Sequence, residues 1–227
     1  KLAWSKDYRL TDKLWNIPDL HMLPDGRFLM VMVPRDTLVL NKTVVMADST
    51  GELLWARAFG SADSTRRLPT RTHSAIKVNE EGDIFMTTTV HTKLQEGTTL
   101  RPYRINVSKI SGEGELIWSR DVEAAPFNSI YFSPKEKSPY PYGALDLVPM
   151  SDGGVIVCNR LADTDSLDLT DTKNRPVIFR LGTNGEMIWE KRLRSTHPKE
   201  SDQLYYGNTS IFAEGIEHLF FSIFFFF

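Results

Sequence analysis

The sequence predicts an all-β fold, a β-propeller built from four-stranded antiparallel blades. Three observations carry that prediction. A Gly-Glu-apolar-apolar-Trp unit recurs along the chain. Strand–glycine turn–strand segments recur between its copies. No window of the 227 residues sustains a 3.6-residue apolar period.

The Gly–Trp unit reads "GELLWARAF" from Gly51, "GELIWSRDV" from Gly114 and "GEMIWEKRL" from Gly185. "KLAWSKDY" at Lys1 resembles a fourth copy without its glycine, so the set is Trp4, Trp55, Trp118 and Trp189, with Trp15 outside it. Between the copies lie "LHMLPDGRFLMVMV" from Leu20, "AIKVNEEGDIFMTTTV" from Ala75, "LDLVPMSDGGVIVCN" from Leu145 and the weaker "SIFAEGIEHLFFSIF" from Ser210. Each reads as two strands around a glycine turn, because β-rich apolar runs flank Asp-Gly or Glu-Gly. A third strand precedes each Gly–Trp unit: "TVVMAD", "YRINVSKI" and "PVIFRL". The repeat is therefore four strands, A to D. A tandem array of such sheets stacks as propeller blades, since one blade alone leaves an apolar face open.

The predicted blades run about 17–60, 72–123 and 142–194 within one domain, 1–227, with a partial blade at 205–227. Two arrangements fit the ends. In one, strand 2–8 supplies the outer strand of the last blade and closes the ring. In the other, the chain is a piece of a larger propeller cut inside a blade. The apolar "FFSIFFFF" favours the second, because such a strand needs a pairing partner.

Composition narrows the function classes. A net charge of −2 gives no bulk attraction to nucleic acid or anionic membrane. No apolar run reaches the ~20 residues of a membrane-spanning helix. The single Cys158, in "GGVIVCN", has no partner for a disulfide or a zinc site and reads as a buried core residue. The five histidines, His21, His73, His91, His197 and His218, are dispersed. No nucleophile elbow, phosphate loop or zinc-protease motif is present, so no catalytic residues are assigned.

"ADSTGELLW" at Ala47–Trp55 resembles the repeat of PQQ-like (quinoprotein-type) β-propellers, whose docking motif runs Ala/Leu-x-Asp, Thr-Gly, three residues, Trp. The shorter Asp48-x-x-Gly51 form is more similar to the cofactor-free repeats of secreted and surface proteins of bacteria. The resemblance implies that Trp55, Trp118, Trp189 and Trp4 lie on outer strands and pack on the adjacent blade, with Gly51, Gly114 and Gly185 as docking glycines. The chain departs from the pattern in that Ser111 and Gly182 stand where Asp48 stands in the first copy. Quinoprotein dehydrogenases also carry adjacent cysteines and eight blades. With one cysteine and three full units, no PQQ, other cofactor or metal is expected.

Loop lengths point to a functional face. Turns A–B and C–D are short and glycine-bearing. The B–C and D–A connections are long, and in an up-and-down sheet they all emerge at the opposite end. Strand A lines the central channel of a propeller, so His73, Tyr142 and Tyr206 are candidate binding residues at its mouth, with Arg71 and Arg104 supplying charge. Tyr131 and Tyr140, in "IYFSPKEKSPYPYG", are candidates for packing on a glycan or peptide. Asp163, Asp165, Asp168 and Asp171 resemble a calcium loop, but Asn174 stands where an EF-hand has its bidentate Glu, so a solvated loop is the better reading. The expected function is a non-catalytic binding or scaffold propeller, exported in a bacterium, with a protein or glycan partner and no nucleic acid. The alternative is a propeller hydrolase or lyase acting on glycans at the channel mouth.

Overall fold

A computed structural model of the chain describes Ser5, Tyr8 and residues 15–34, 41–60, 75–91, 103–122, 146–163, 173–192, 205–214 and 218–226. Every element within these residues is a strand. The first sheet has the order β1 (Trp15–Met22), β2 (Phe28–Pro34), β3 (Asn41–Ala47) and β4 (Leu53–Gly60). The second comprises β5 (Ile76–Val78), β6 (Ile84–His91), β7 (Tyr103–Ile110) and β8 (Leu116–Val122) in the same sequential order. The third comprises β9 (Asp146–Pro149), β10 (Val155–Asp163), β11 (Lys173–Leu181) and β12 (Met187–Arg192). β13 (Tyr205–Glu214) and β14 (His218–Phe226) form a two-stranded sheet. All pairings are antiparallel. β1 packs on β5, β5 on β9 and β9 on β13, so the first strands of successive sheets lie side by side. This is the blade arrangement of a β-propeller.

Six tight turns share one backbone design. In each, the first turn residue exchanges bonds with the residue four later and with a glycine three later, as in Asp48 N to Glu52 O at 2.9 Å and Gly51 N to Asp48 O at 3.0 Å. The glycine takes a φ between +79° and +89° at Gly26, Gly51, Gly82, Gly114, Gly153 and Gly185. This is a type I turn closed by a left-handed residue, a conformation an L side chain resists.

Side chains reinforce the turns by three routes to one end. The Asp48 carboxylate accepts from the amides of Thr50 and Glu52 at 2.8 and 2.9 Å. The Ser111 hydroxyl accepts from Glu113 and Glu115, both at 3.2 Å. Gly182 has no side chain, and the Glu186 carboxylate folds into that space, accepting from Asn184 N at 3.1 Å. The variation at the Asp48 position therefore preserves turn capping by substituting the acceptor.

The first three sheets are apolar on both faces, and neighbouring sheets share cores. Leu29, Val31, Val44 and Met46 of the first sheet share a core with Ile76, Ile84, Met86 and Ile110 of the second. Phe85, Ile105 and Val107 of the second share one with Leu147, Val155, Val157 and Phe179 of the third. Cys158 lies fully buried in the third sheet beside Ile156 and Ile178.

The strands run further into the long connections than the sequence pattern suggests. β10 and β11 stay paired to Asp163↔Lys173, which places Asp163 at a strand end. Trp15 begins β1, opposite Pro34, with a register shift between Asn16 and Asp19 around Pro18. Proline cannot donate to a ladder, and a bulge accommodates it.

Candidate functional site

Because sheet order follows chain order, the two ends of the sheets differ. The six glycine turns, at 23–27, 48–52, 79–83, 111–115, 150–154 and 182–186, lie at one end. The connections at 35–40, 92–102 and 164–172 within blades, and 61–75, 123–145 and 193–204 between them, leave from the other.

The turn end is occupied by blade-to-blade contacts. The Trp55 indole Nε1 donates to Gly112 O at 2.9 Å, and Trp118 Nε1 donates to Thr183 O at 2.8 Å. Each acceptor lies two residues before the turn glycine of the next blade. That glycine presses on the same indole: a Cβ on Gly114 would lie 3.0 Å from the Trp55 ring, and one on Gly185 3.0 Å from the Trp118 ring. The stems of Arg57 and Arg120 press on the same two glycines from beside the rings. Glycine is required there both by φ and by proximity. Tyr8 makes a related contact, donating from its hydroxyl to Gly51 O at 2.7 Å.

Lys109 adds a polar lock between the second and third blades. Its Nζ pairs with Asp83 at 2.9 Å, donates to Gly153 O at 3.3 Å and lies 5.4 Å from the Phe85 ring centroid. Phe85 meets Trp118 edge to face, with centroids 6.2 Å apart. Lys109 lies opposite Trp118 in the register, and Arg180 lies opposite Trp189. Arg180 pairs with Asp152 of its own sheet, and its Nε is buried without an acceptor among the described residues.

Shifted ionisation occurs on the inner strands β1 and β5, close to their glycine turns, and at the loop-end start of β3. Asp19 and His21 alternate along β1, and Lys77 lies on β5, which packs beside it. Burial raises the Asp19 carboxyl above its ordinary range, against the pull of the Leu20 amide, Lys77, the Ile76 amide and His21. Burial, then the charge of Lys77, holds His21 below its ordinary value, while Asp19 opposes them. Lys42, near the loop-end start of β3, is buried, and desolvation lowers it to about 8. The sequence analysis does not single out Asp19, Lys77 or Lys42. Each is a charge inside an otherwise apolar strand, in "IPDLHML", "AIKV" and "NKTVVM".

Of the residues predicted to bind, Arg104 and Tyr206 fall on strands. Arg104 pairs with Val90 in β7, and Tyr206 with Phe225 in β13. Both stand near the loop-bearing ends of their strands, and the described residues do not include their side chains. His73, Arg71, Tyr131, Tyr140, Tyr142 and Trp4 lie outside the described residues, as do Asp165, Asp168 and Asp171. Among the described residues, no group of three His, Cys, Asp or Glu side chains is arranged to hold a metal ion. No helix among them is long and apolar enough to cross a membrane.

No family model matches the chain, and no curated protein does. Among solved structures, the chain is similar to a calcium-binding protein, regucalcin, from Agrobacterium tumefaciens. Identity is 10%, the TM-score is 0.31, and the match covers 76% of this chain and 43% of the other. The chain thus spans less than half the length of that structure.

Proposed function

We propose that the chain is a non-catalytic binding or scaffold propeller, one domain across residues 1–227, that presents its loop-bearing end to a protein or glycan. One observation carries this reading: the turn end is taken up by contacts between blades, Trp55 to Gly112 and Trp118 to Thr183. Recognition is then left to the opposite end, from which the six long connections leave the strands, one of them carrying Tyr131, Tyr140 and Tyr142 in sequence. The repeat is of the cofactor-free PQQ-like type, and export to a bacterial periplasm, surface or medium follows from that resemblance.

The test is a binding panel of soluble envelope glycans and peptides titrated against the intact protein. A triple variant, Tyr131→Ala, Tyr140→Ala and Tyr142→Ala, is compared with a turn-end variant, Glu113→Lys. The reading expects binding that the triple variant loses and Glu113→Lys keeps, at unchanged Tm. Loss with Glu113→Lys alone contradicts it.

A second reading, a glycan hydrolase or lyase, is supported by the half-buried Asp19 and His21 on the channel-side strand. Release of new reducing ends from a bound glycan, abolished by Asp19→Asn, would select it.

A further inference from the structure

The repeat keeps a feature that the blade contacts do not use. In "GELLW", "GELIW" and "GEMIW" two apolar residues stand between the glutamate and the tryptophan. Both are exposed in every copy: Leu53, Leu54, Leu116, Ile117, Met187 and Ile188 each present 45–54% of their surface to solvent. Eight large apolar side chains are exposed among the described residues, and six of them stand at these two positions. A β-bulge recurs at the pair. Ala47 pairs with Leu53 and Met46 with Trp55, which leaves Leu54 as the extra residue, and Ile117 and Ile188 are extra in the same way. Bulges re-aim side chains at sheet edges, and β4, β8 and β12 are each the last strand of their sheet. Single exposed apolar residues are ordinary, but one pair repeated in three blades is not scatter. The indole contacts join the pairs into an arc. Trp55 seats against Gly114, two residues before Leu116, and Trp118 seats against Gly185, two before Met187.

Charge decides what can cover the arc. The six glycine turns at this end of the sheets hold ten carboxylates and one base, Arg27, itself paired with Asp25, although the whole chain carries only −2. Lys109 and Arg180 reach two of those carboxylates, Asp83 and Asp152. Glu52, Glu115 and Glu186 are exposed and stand directly before the apolar pairs. Aliphatic side chains offer a glycan no hydrogen bonds. The same end of a second copy, or an anionic lipid surface, is repelled by the surplus of carboxylates. We propose that this arc of outer strands is a docking surface for a basic amphipathic segment of a partner protein. Its aliphatic side chains lie on the Leu53–Leu54, Leu116–Ile117 and Met187–Ile188 pairs, and its lysines or arginines face the glutamates that precede them. The blade contacts fill the seams between turns, and the exposed pairs lie outside those seams. The surface is separate from the loop-bearing end and does not depend on what that end binds.

The experiment titrates the intact protein with a synthetic leucine–lysine amphipathic peptide, its leucine–glutamate counterpart serving as control. Saturable binding of the basic peptide is expected, weakening about tenfold between about 0.05 M and about 0.5 M salt. A triple variant, Leu54→Asn, Ile117→Asn and Ile188→Asn, should bind about tenfold or more weakly at unchanged Tm. A double variant, Glu113→Lys and Glu115→Lys, leaves every apolar pair in place and should weaken binding about fivefold or more. The Tyr131→Ala, Tyr140→Ala and Tyr142→Ala protein should bind the peptide as the parent does, which separates this surface from the loop-bearing end. Equal affinity of the triple asparagine variant overturns the proposal, as does equal binding of the leucine–glutamate peptide. Unchanged affinity in the charge-reversed double variant overturns it independently, so the test stands even where the triple variant does not fold. A concentration-dependent dimer, or binding to anionic phosphatidylglycerol vesicles, that the triple variant abolishes would assign the arc to a second copy or to lipid and overturn it as well.

Discussion

Trp55 and Gly112 are fifty-seven residues apart in sequence, and the indole Nε1 of one donates to the carbonyl of the other at 2.9 Å. The same bond recurs between Trp118 and Thr183 at 2.8 Å. Each bond crosses from the outer strand of one blade to the C–D turn of the next. The repeat therefore encodes its own assembly: the tryptophan of one copy is shaped for the glycine turn of the copy that follows.

Trp55→Phe should remove the donor while keeping most of the ring, at a cost of about 1–2 kcal/mol in urea unfolding. Trp118→Phe should behave alike. Trp189→Phe should cost less than about 0.5 kcal/mol, because its Nε1 has no acceptor among the described residues. Equal losses at all three positions would contradict a docking role for the first two.

Gly114→Ala and Gly82→Ala separate backbone strain from docking. Both glycines have a positive φ, +85° and +89°, but an alanine Cβ at 114 meets the Trp55 ring at 3.0 Å, while at 82 it meets nothing within 4 Å among the described residues. Gly82→Ala should cost about 1–2 kcal/mol, the left-handed penalty alone. Gly114→Ala should cost about 1–3 kcal/mol more, the usual effect of overpacking. Chemical denaturation of the two variants reads the difference.

Acid should weaken the first C–D turn through Asp48. Its carboxyl is held below the ordinary 3.8 by bonds from the Thr50 side chain and the Glu52 amide. A depressed native value means the unfolded chain binds the proton first. The stabilisation is thus present above about 3.8 and lost as pH falls through the native value. Unfolding measured from pH 5 to pH 2 should show a smaller pH dependence in Asp48→Asn than in the parent. An unchanged slope would remove Asp48 from the account.

Alkali should act in the opposite direction at Lys42. Burial lowers its amine from 10.5 to about 8 in the native state. Between those values the unfolded chain holds a proton that the native state has released, so stability rises with pH across that window. The rise should be on the order of 1–3 kcal/mol and absent in Lys42→Met, whose own stability should not climb between pH 8 and pH 10. Equal slopes in parent and variant would contradict it.

The blades were legible because their determinants are local. A glycine at a fixed turn position, apolar runs on either side and a tryptophan four residues later are all visible without knowing what touches what. The substitution of acceptors at the turn was not legible. Nothing in "GTNGE" shows that the Glu186 carboxylate folds back where Asp48 has its own side chain. Lys109 was hidden for a similar reason. In "INVSKI" it reads as an outward charge, yet it reaches Asp83 of its own blade and Gly153 of the next, a contact set by stacking. Asp19 and His21 were passed over because their half-burial comes from β5 beside them. The predicted binding residues lie in or beside the long connections, Arg104 and Tyr206 on the adjoining strands; there length and composition mark a face but not the arrangement of side chains within it.

The most direct test of the account is a double-mutant cycle between Trp55→Leu and Gly114→Ala, read by urea unfolding. If the glycine turn is the seat of the indole, removing the ring opens space for the new methyl group. The cost of Gly114→Ala should then fall to that of Gly82→Ala, with a coupling of about 1 kcal/mol or more. Additive costs, within about 0.3 kcal/mol, would mean that the tryptophan and the glycine act separately, and the blade-to-blade lock would be refuted.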